Sequence, residues 1–249
     1  MLQDLLYSFR SLRRAPAYAL MVVLTLALGI GANTAIFNVA WQVLLKRLRY
    51  PAEERLVLVW EGFGREREKN PAAPASFFDW QAQARSFEAI AAFNQYQSVL
   101  NLTGAGEPQE LGITHVTEGF FNVLGVKAIA GRTILPSDSN GETRLLVLSE
   151  HLWRQSFGAD HGVVGRVVRL HGEPFEVIGV VPGHAALVST GADAWLRLAL
   201  TREQARMRQA HYLRVVARLR PDVSVAEADD EVRRISERAF AQAGGPGVA

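Results

Sequence analysis

The chain of 249 residues contains no cysteine. That excludes disulfides, thiolate metal sites and a cysteine nucleophile. It also has no G-x-x-x-x-G-K-[ST] loop, and therefore no Walker-type phosphate cradle. The glycine-rich stretch Gly158–Gly165 lacks the lysine that would reach a phosphate, and reads as a loop before a strand. There is no G-x-S-x-G elbow. His115, His151, His161, His171, His184 and His211 are scattered, and none makes an H-x-x-x-H pair. Charge of one sign is also missing. With 27 Lys+Arg against 25 Asp+Glu the formal charge is +2, so nothing calls for nucleic acid as a partner. Asp229, Asp230 and Glu231 are adjacent on one helix, which splays them into a solvated face. No catalytic, cofactor or metal residue emerges, and the chain is read as non-enzymatic.

One further absence is informative. No charged residue occurs from Ala15 to Leu45. A bilayer crossing needs about 20 apolar residues for roughly 30 Å of hydrocarbon. The run is longer than that and predicts a tilted transmembrane helix over 15–45, with Trp41 and Gln42 reaching the far interface. A cleaved signal peptide would have a shorter apolar region and a small-residue cleavage site. This run ends instead in Phe37, Val39, Trp41, Val43, Leu44 and Leu45. Before it, Leu2, Leu5, Leu6, Phe9 and Leu12 recur at helical spacing, so residues 1–14 read as an amphipathic interfacial helix. Arg10, Arg13 and Arg14 on one side and Lys46, Arg47, Arg49 and Arg55 on the other nearly balance, which leaves orientation open. Within the span, Ala27, Gly31 and Ala35 share one face, with the costly polar Asn33 nearby. These four are the candidate helix-packing residues.

The remainder alternates between strand and helix patterns. Strands are expected at Arg55–Glu61, Asn94–Thr103, Gln109–Val116, Leu145–Leu148, Trp195–Leu200 and Tyr212–Leu219. Val163–Leu170 and Phe175–Val181 read as a hairpin turned at His171-Gly172. A loop covers Gly64–Pro74, with Ser76 as N-cap of the helix that follows. Ser86 reads as the cap of a second helix, FEAIAAF. Further helices are expected at Glu118–Leu124 and Glu150–Phe157. Ser224 and Glu227 fit a capping box, ahead of an apolar stripe of Val225, Ala228, Val232, Ile235 and Ala239. Trp60, Trp80, Trp153 and Trp195 read as core anchors.

The stretch SLRRAPAYALMVVLTLALGIGANTAIFNVAWQVLLKRLRYP closely resembles the first transmembrane segment of MacB-type ABC transporter permeases, especially the orphan permeases of acidobacteria and related soil bacteria. The likeness continues through SFFDWQAQARSFEAIAAF, EGFFNVLGVKAIAGR, VLSEHLWRQSFGAD, VVGRVVRLHGEPFEVIGVVP and HYLRVVARLRPDVSVAEADDEV, in order, over nearly the whole chain.

The resemblance implies an α+β fold, a MacB-like extracytoplasmic core domain over residues 50–243. Its two lobes would be a porter-like one, 50–100 plus 205–243, and an inserted one, 101–204. It places the N-terminus in the cytoplasm and the main domain outside the inner membrane. The implied role is an ABC-type permease component coupling a separate cytoplasmic ATPase to the outer domain for export or efflux. The implied partners are that ATPase, other permease transmembrane helices or a second copy, an extracytoplasmic adaptor, and membrane lipid. Family members continue into three more FtsX-like transmembrane helices. The chain ends at Ala249 before them, so a fragment of a longer permease or a truncated product is expected. The alternative reading is a single-pass anchored extracytoplasmic binding module without transport.

Overall fold

The computed structural model describes residues 16–40, 50–62, 69–104, 107–140, 144–186, 188 and 191–243. Residues 1–14, expected to form the interfacial helix, lie outside these, as does the end of the expected span beyond residue 40. The chain forms two units, residues 1–48 and 49–249.

The first unit contains helix α1, Pro16–Ala40. Its 25 residues include no charged side chain and extend about 37 Å at 1.5 Å per residue. Thr25 Oγ1 donates to the Met21 carbonyl at 2.8 Å, so this hydroxyl is satisfied within the helix itself. Side chains are described without a break only over 20–34. Among the described residues, no helix is long and apolar enough to cross a membrane.

The second unit is built on ten strands among the described residues. They are β1 Leu56–Val59, β2 Phe87–Asn94, β3 Ser98–Thr103, β4 Gln109–Val116, β5 Ala130–Gly131, β6 Leu145–Ser149, β7 Val167–Leu170, β8 Glu173–Val181, β9 Ala194–Arg197 and β10 Leu213–Leu219. Four helices accompany them: α2 Pro74–Gln83, α3 Phe120–Leu124, α4 Glu150–Phe157 and α5 Val225–Gln242. The sheet runs β1-β10-β2-β4-β3-β7-β8-β6-β9, and β9 then returns to pair with β4. Six strands, β4-β3-β7-β8-β6-β9, therefore close into a ring. β1, β10 and β2 form an open antiparallel extension.

Period-two alternation sorts the core into three layers. Leu146, Leu148, Ala194 and Leu196 pack inside the ring, with Leu152, Trp153 and Phe157 of α4. Their sequence neighbours Val147 and Trp195 point the other way and meet α3 and the open extension. There Phe93, Phe120, Phe121 and Trp195 stack edge to face, with centroids 5.5, 5.4 and 5.5 Å apart. On the opposite face of the extension, Leu213, Val215, Ala217 and Leu219 receive Phe77 and Trp80 of α2 and Val232 and Ile235 of α5.

Several sequence expectations need correction. Residues 87–94 form β2, not a helix capped by Ser86. The strand lies between two helical layers, with Ala91 facing one and Ala92 the other, so buried residues occur on both faces and the alternation is hidden. The helix after the charged loop starts at Pro74, at its first turn, and its N-cap is Ala73 rather than Ser76. Val225 is 60% exposed and does not belong to the buried stripe of α5. Trp60 is only half-buried, unlike Trp80, Trp153 and Trp195. Glu231 does not sit on a solvated face: its carboxylate accepts from the Arg85 and Ser86 amides at 3.0 and 2.8 Å.

β5 approaches β8 so closely that residue 179 must lack a side chain. A Cβ on Gly179 would lie 2.1 Å from the Arg132 carbonyl oxygen and 2.9 Å from that of Ala130. Gly179→Ala should therefore cost about 1–3 kcal/mol, read as a lower urea midpoint by tryptophan fluorescence. Gly183→Ala, where an added Cβ meets nothing within 4 Å, should shift the midpoint little.

Candidate functional site

The four helix-packing residues lie on α1. Ala27 and Gly31 are one helical repeat apart, while Asn33 is two residues beyond Gly31 and so points to another side. Ala27, Gly31 and Asn33 are exposed; the side chain of Ala35 lies outside the described set. A Cβ at Gly31 or at Gly29 would meet nothing within 4 Å. This unit thus presents a surface of small residues with open space beside it.

In the second unit the notable geometry lies where the chain enters the domain. Tyr50 is buried against Phe93, Phe120, Phe121 and Val216. Its hydroxyl donates to the His184 carbonyl at 2.7 Å, and burial pushes its pKa up to about 12. Two residues later Ala52 adopts a left-handed conformation, φ 48° and ψ 54°, which turns the chain into β1. The Arg55 guanidinium donates to the Leu219 carbonyl through Nε and Nη2, at 2.8 and 2.6 Å, and pairs with Glu88.

Arg218 completes this junction. It lies in β10, between β1 and β2, and is only 7% exposed. Nε donates to the Val123 carbonyl of α3 at 2.9 Å. Nη1 donates to the carbonyls of Pro51 and Ala52, at 2.8 and 3.2 Å. Burial, and then the neighbouring Arg55 charge, lower its pKa; Glu88 and Glu54 act against this. One buried side chain thus links the entering chain, the central strand and α3. Gly125, at φ 69°, ends α3 and leaves room for the Pro51 ring, which a Cβ there would meet at 3.2 Å. Sequence reasoning did not single out Tyr50, Ala52 or Arg218. A legible signal was present, because alternation in HYLRVVARL puts Arg218 on the same face as buried Val216.

A second buried charge secures the far end of β1. Glu61, 2% exposed, accepts from the Ala73 amide at 2.8 Å and from Ser76 Oγ at 2.6 Å, and so caps α2 in place of a serine. His211 Nε2 lies 3.6 Å from Oε2, the oxygen that accepts from Ala73. Burial raises the Glu61 pKa, while Ser76, Ala73, His211 and Arg208 pull it down. Among the described residues no three His, Asp or Glu side chains converge on a common point. The pocket lined by Asn101, Thr103, His171 and Gly172 is an open surface depression. The arrangement holds backbone in place; it offers no reacting group.

Comparison with known proteins agrees with this architecture. The family description MacB-like periplasmic core domain matches residues 19–235, most of the chain.

The chain belongs to the MacB-like periplasmic core domain family.

The family model describes a domain, and the relatives that match are named as ATP-binding/permease proteins. Among relatives, the chain is 28% identical over 126 residues to the Macrolide export ATP-binding/permease protein MacB 1 of Aeromonas hydrophila, covering 49% of this chain and 19% of that protein. It is 28% identical over 123 residues to the Macrolide export ATP-binding/permease protein MacB of Shigella dysenteriae, covering 48% and 19%. The matched region is therefore about a fifth of these longer relatives. Solved structures share the fold. A domain of a permease protein from Porphyromonas gingivalis superposes with a TM-score of 0.61 at 19% identity, covering 76% of this chain and 86% of that one. The periplasmic region of MacB from Actinobacillus actinomycetemcomitans gives 0.57 at 18% identity, covering 81% and 89%. The extracellular domain of the noncanonic ABC-type transporter YknZ from Gram-positive bacteria gives 0.54 at 13% identity, covering 78% and 97%. The matched residues 19–235 take in most of α1 as well as the α+β second unit.

The Glu61 carboxyl makes a pH test possible. A raised folded pKa means that the native state holds the proton more tightly than the unfolded chain. Glu61 therefore contributes most to stability below its ordinary value of 4.5, and this contribution falls as pH climbs through the raised value. The stability difference between wild type and Glu61→Gln, from urea unfolding, should be constant below pH 4.5, shift against the wild type as pH rises from 4.5 through the raised value, and level off beyond it. A difference that does not vary with pH would refute the assignment.

Proposed function

We propose that this chain is a permease component of an ABC-type transport complex, passing movement from a separate cytoplasmic ATPase to an extracytoplasmic domain that takes part in export. In this reading residues 15–45, of which α1 is the described part, cross the inner membrane, the N-terminus is cytoplasmic, and residues 50–243 stand outside. Support comes from family membership and from the uncharged 25 residues of α1. The observation that carries the mechanical part is the Arg218 junction. A chain entering the domain at Tyr50 is held to β10 and α3 by buried hydrogen bonds before β1 begins, so displacement there is delivered to the domain's central strand.

We read residues 50–100 with 205–243 as one lobe and 101–204 as an inserted second lobe. All six strands of the closed ring fall between residues 98 and 197, which supports the division. The other partners in this reading are further permease helices or a second copy, an extracytoplasmic adaptor and the surrounding lipid. The MacB relatives are named for macrolide export, and for this chain the role proposed is export without a stated substrate.

Ala27, Gly31, Asn33 and Ala35 would pack α1 on those other helices, where small residues let backbones approach. In a full-length membrane context with the ATPase coexpressed, Gly31→Leu should reduce the ATPase recovered with the permease several-fold, and Gly31→Ala should reduce it much less. Equal recovery of wild type and Gly31→Leu would rule this face out.

A further inference from the structure

We propose that residues 50–55 form a strained latch, in which the buried Arg218 guanidinium holds Ala52 in a left-handed turn that opens to an extended one when the guanidinium lets go. The two ends of the segment are pinned independently of the turn. Tyr50 is fixed by its place in the core and its bond to the His184 carbonyl. Arg55 is fixed by its two bonds to the Leu219 carbonyl. Between the pins, Ala52 has φ 48°, a region that places Cβ too near the carbonyl oxygen for comfort. Its side chain is exposed, so no packing contact forces the turn.

What favours the turn is hydrogen bonding to carbonyls. The Ala52 carbonyl accepts from the Arg55 amide at 3.1 Å and from Arg218 Nη1 at 3.2 Å, and the same Nη1 reaches the Pro51 carbonyl at 2.8 Å. Gly125 closes the turn from the other side, with space for the Pro51 ring and no more. Arg218 Nη2 is buried and makes no hydrogen bond, so the guanidinium keeps a donor for a carbonyl that has swung to a new position. An exposed residue of high backbone energy, flanked by fixed points and held by one removable clamp, is a local two-state element. Opening would reorient the Pro51 and Ala52 carbonyls between the two fixed ends while the layers of the domain stay packed. Its use as a release point in transport rests on the function proposed above; the latch itself does not.

The test reads amide hydrogen exchange of the full chain in detergent micelles. Glycine accepts the left-handed turn freely and a β-branched residue resists it. The Arg55 amide should exchange about tenfold or more faster in Ala52→Val than in Ala52→Gly, with the Val215 and Ala217 amides of β10 unchanged. In an Arg218→Gln background the difference between the two residue-52 variants should shrink below about threefold, because the clamp that couples them is gone. Arg218→Lys, which keeps the charge but loses the fork, replaces Arg218→Gln if the latter does not fold. Equal exchange in Ala52→Val and Ala52→Gly, a difference that persists in full without Arg218, or equal acceleration throughout β10 would each overturn the latch. No ATPase enters the measurement, so a failed latch leaves the transport reading standing, and a failed transport assay leaves the latch standing.

Discussion

A guanidinium withdrawn from water sets the terms for this domain. Arg218 remains a cation at any ordinary pH, and taking a charge out of water is costly unless partners replace the water, as carbonyls do here at Nε and Nη1. It sits in the middle strand of the open extension, with carbonyl partners from α3 and from the entering chain and with Glu54 and Glu88 close enough to offset it. None of these partners can leave without exposing the others' loss. The regular structure between Tyr50 and Arg55 is a single 3-10 turn, Glu53–Arg55, yet the path of the whole segment is strongly determined. Glu61 does the same at the other end of β1, where its carboxylate takes the place of a side-chain cap on α2.

The packing layers extend that constraint through the molecule. α3 is five residues long, too short to be stable alone, and is held by Phe120, Phe121, Val123 and Leu124, all buried. Its aromatic residues join Phe93 of the open extension to Trp195 on the outer wall of the ring. Dense interiors transmit displacement rather than absorb it. Displacement at Arg218 therefore reaches α3 directly and the ring through α3.

Much of this was legible in the sequence, for identifiable reasons. The capping box at Ser224 and Glu227 is present with both of its reciprocal bonds, because its chemistry is local. The turn at His171-Gly172 has positive φ at both residues, 52° and 87°, as a two-residue hairpin requires. Helix α4 matches its expected limits, since Ser149 caps it and Gly158 ends it. β2 was misread because its alanine-rich pattern favours helix and only the layers on both sides make it a strand. The junction was harder still. Arg218 is more than 160 residues of chain away from Tyr50 and Ala52, and their meaning arises only when β10 lies between β1 and β2. Ala52 in particular gives no signal, because alanine is not a residue that announces a left-handed turn.

The return of β9 to β4 has a separate consequence. A ring of strands leaves few unpaired amides and carbonyls; the weakest seam is β3–β7, paired only at Leu102–Leu170 and Thr103–Arg169, so little edge remains on which another extended chain could accumulate. The hairpin tips and connections at its two mouths are then free to vary in length and sequence without creating a sticky border. In this half of the fold, evolutionary change of the outward-facing loops is decoupled from the hazard of fibril growth; the exposed side of the four-residue β1 has no such protection beyond its brevity.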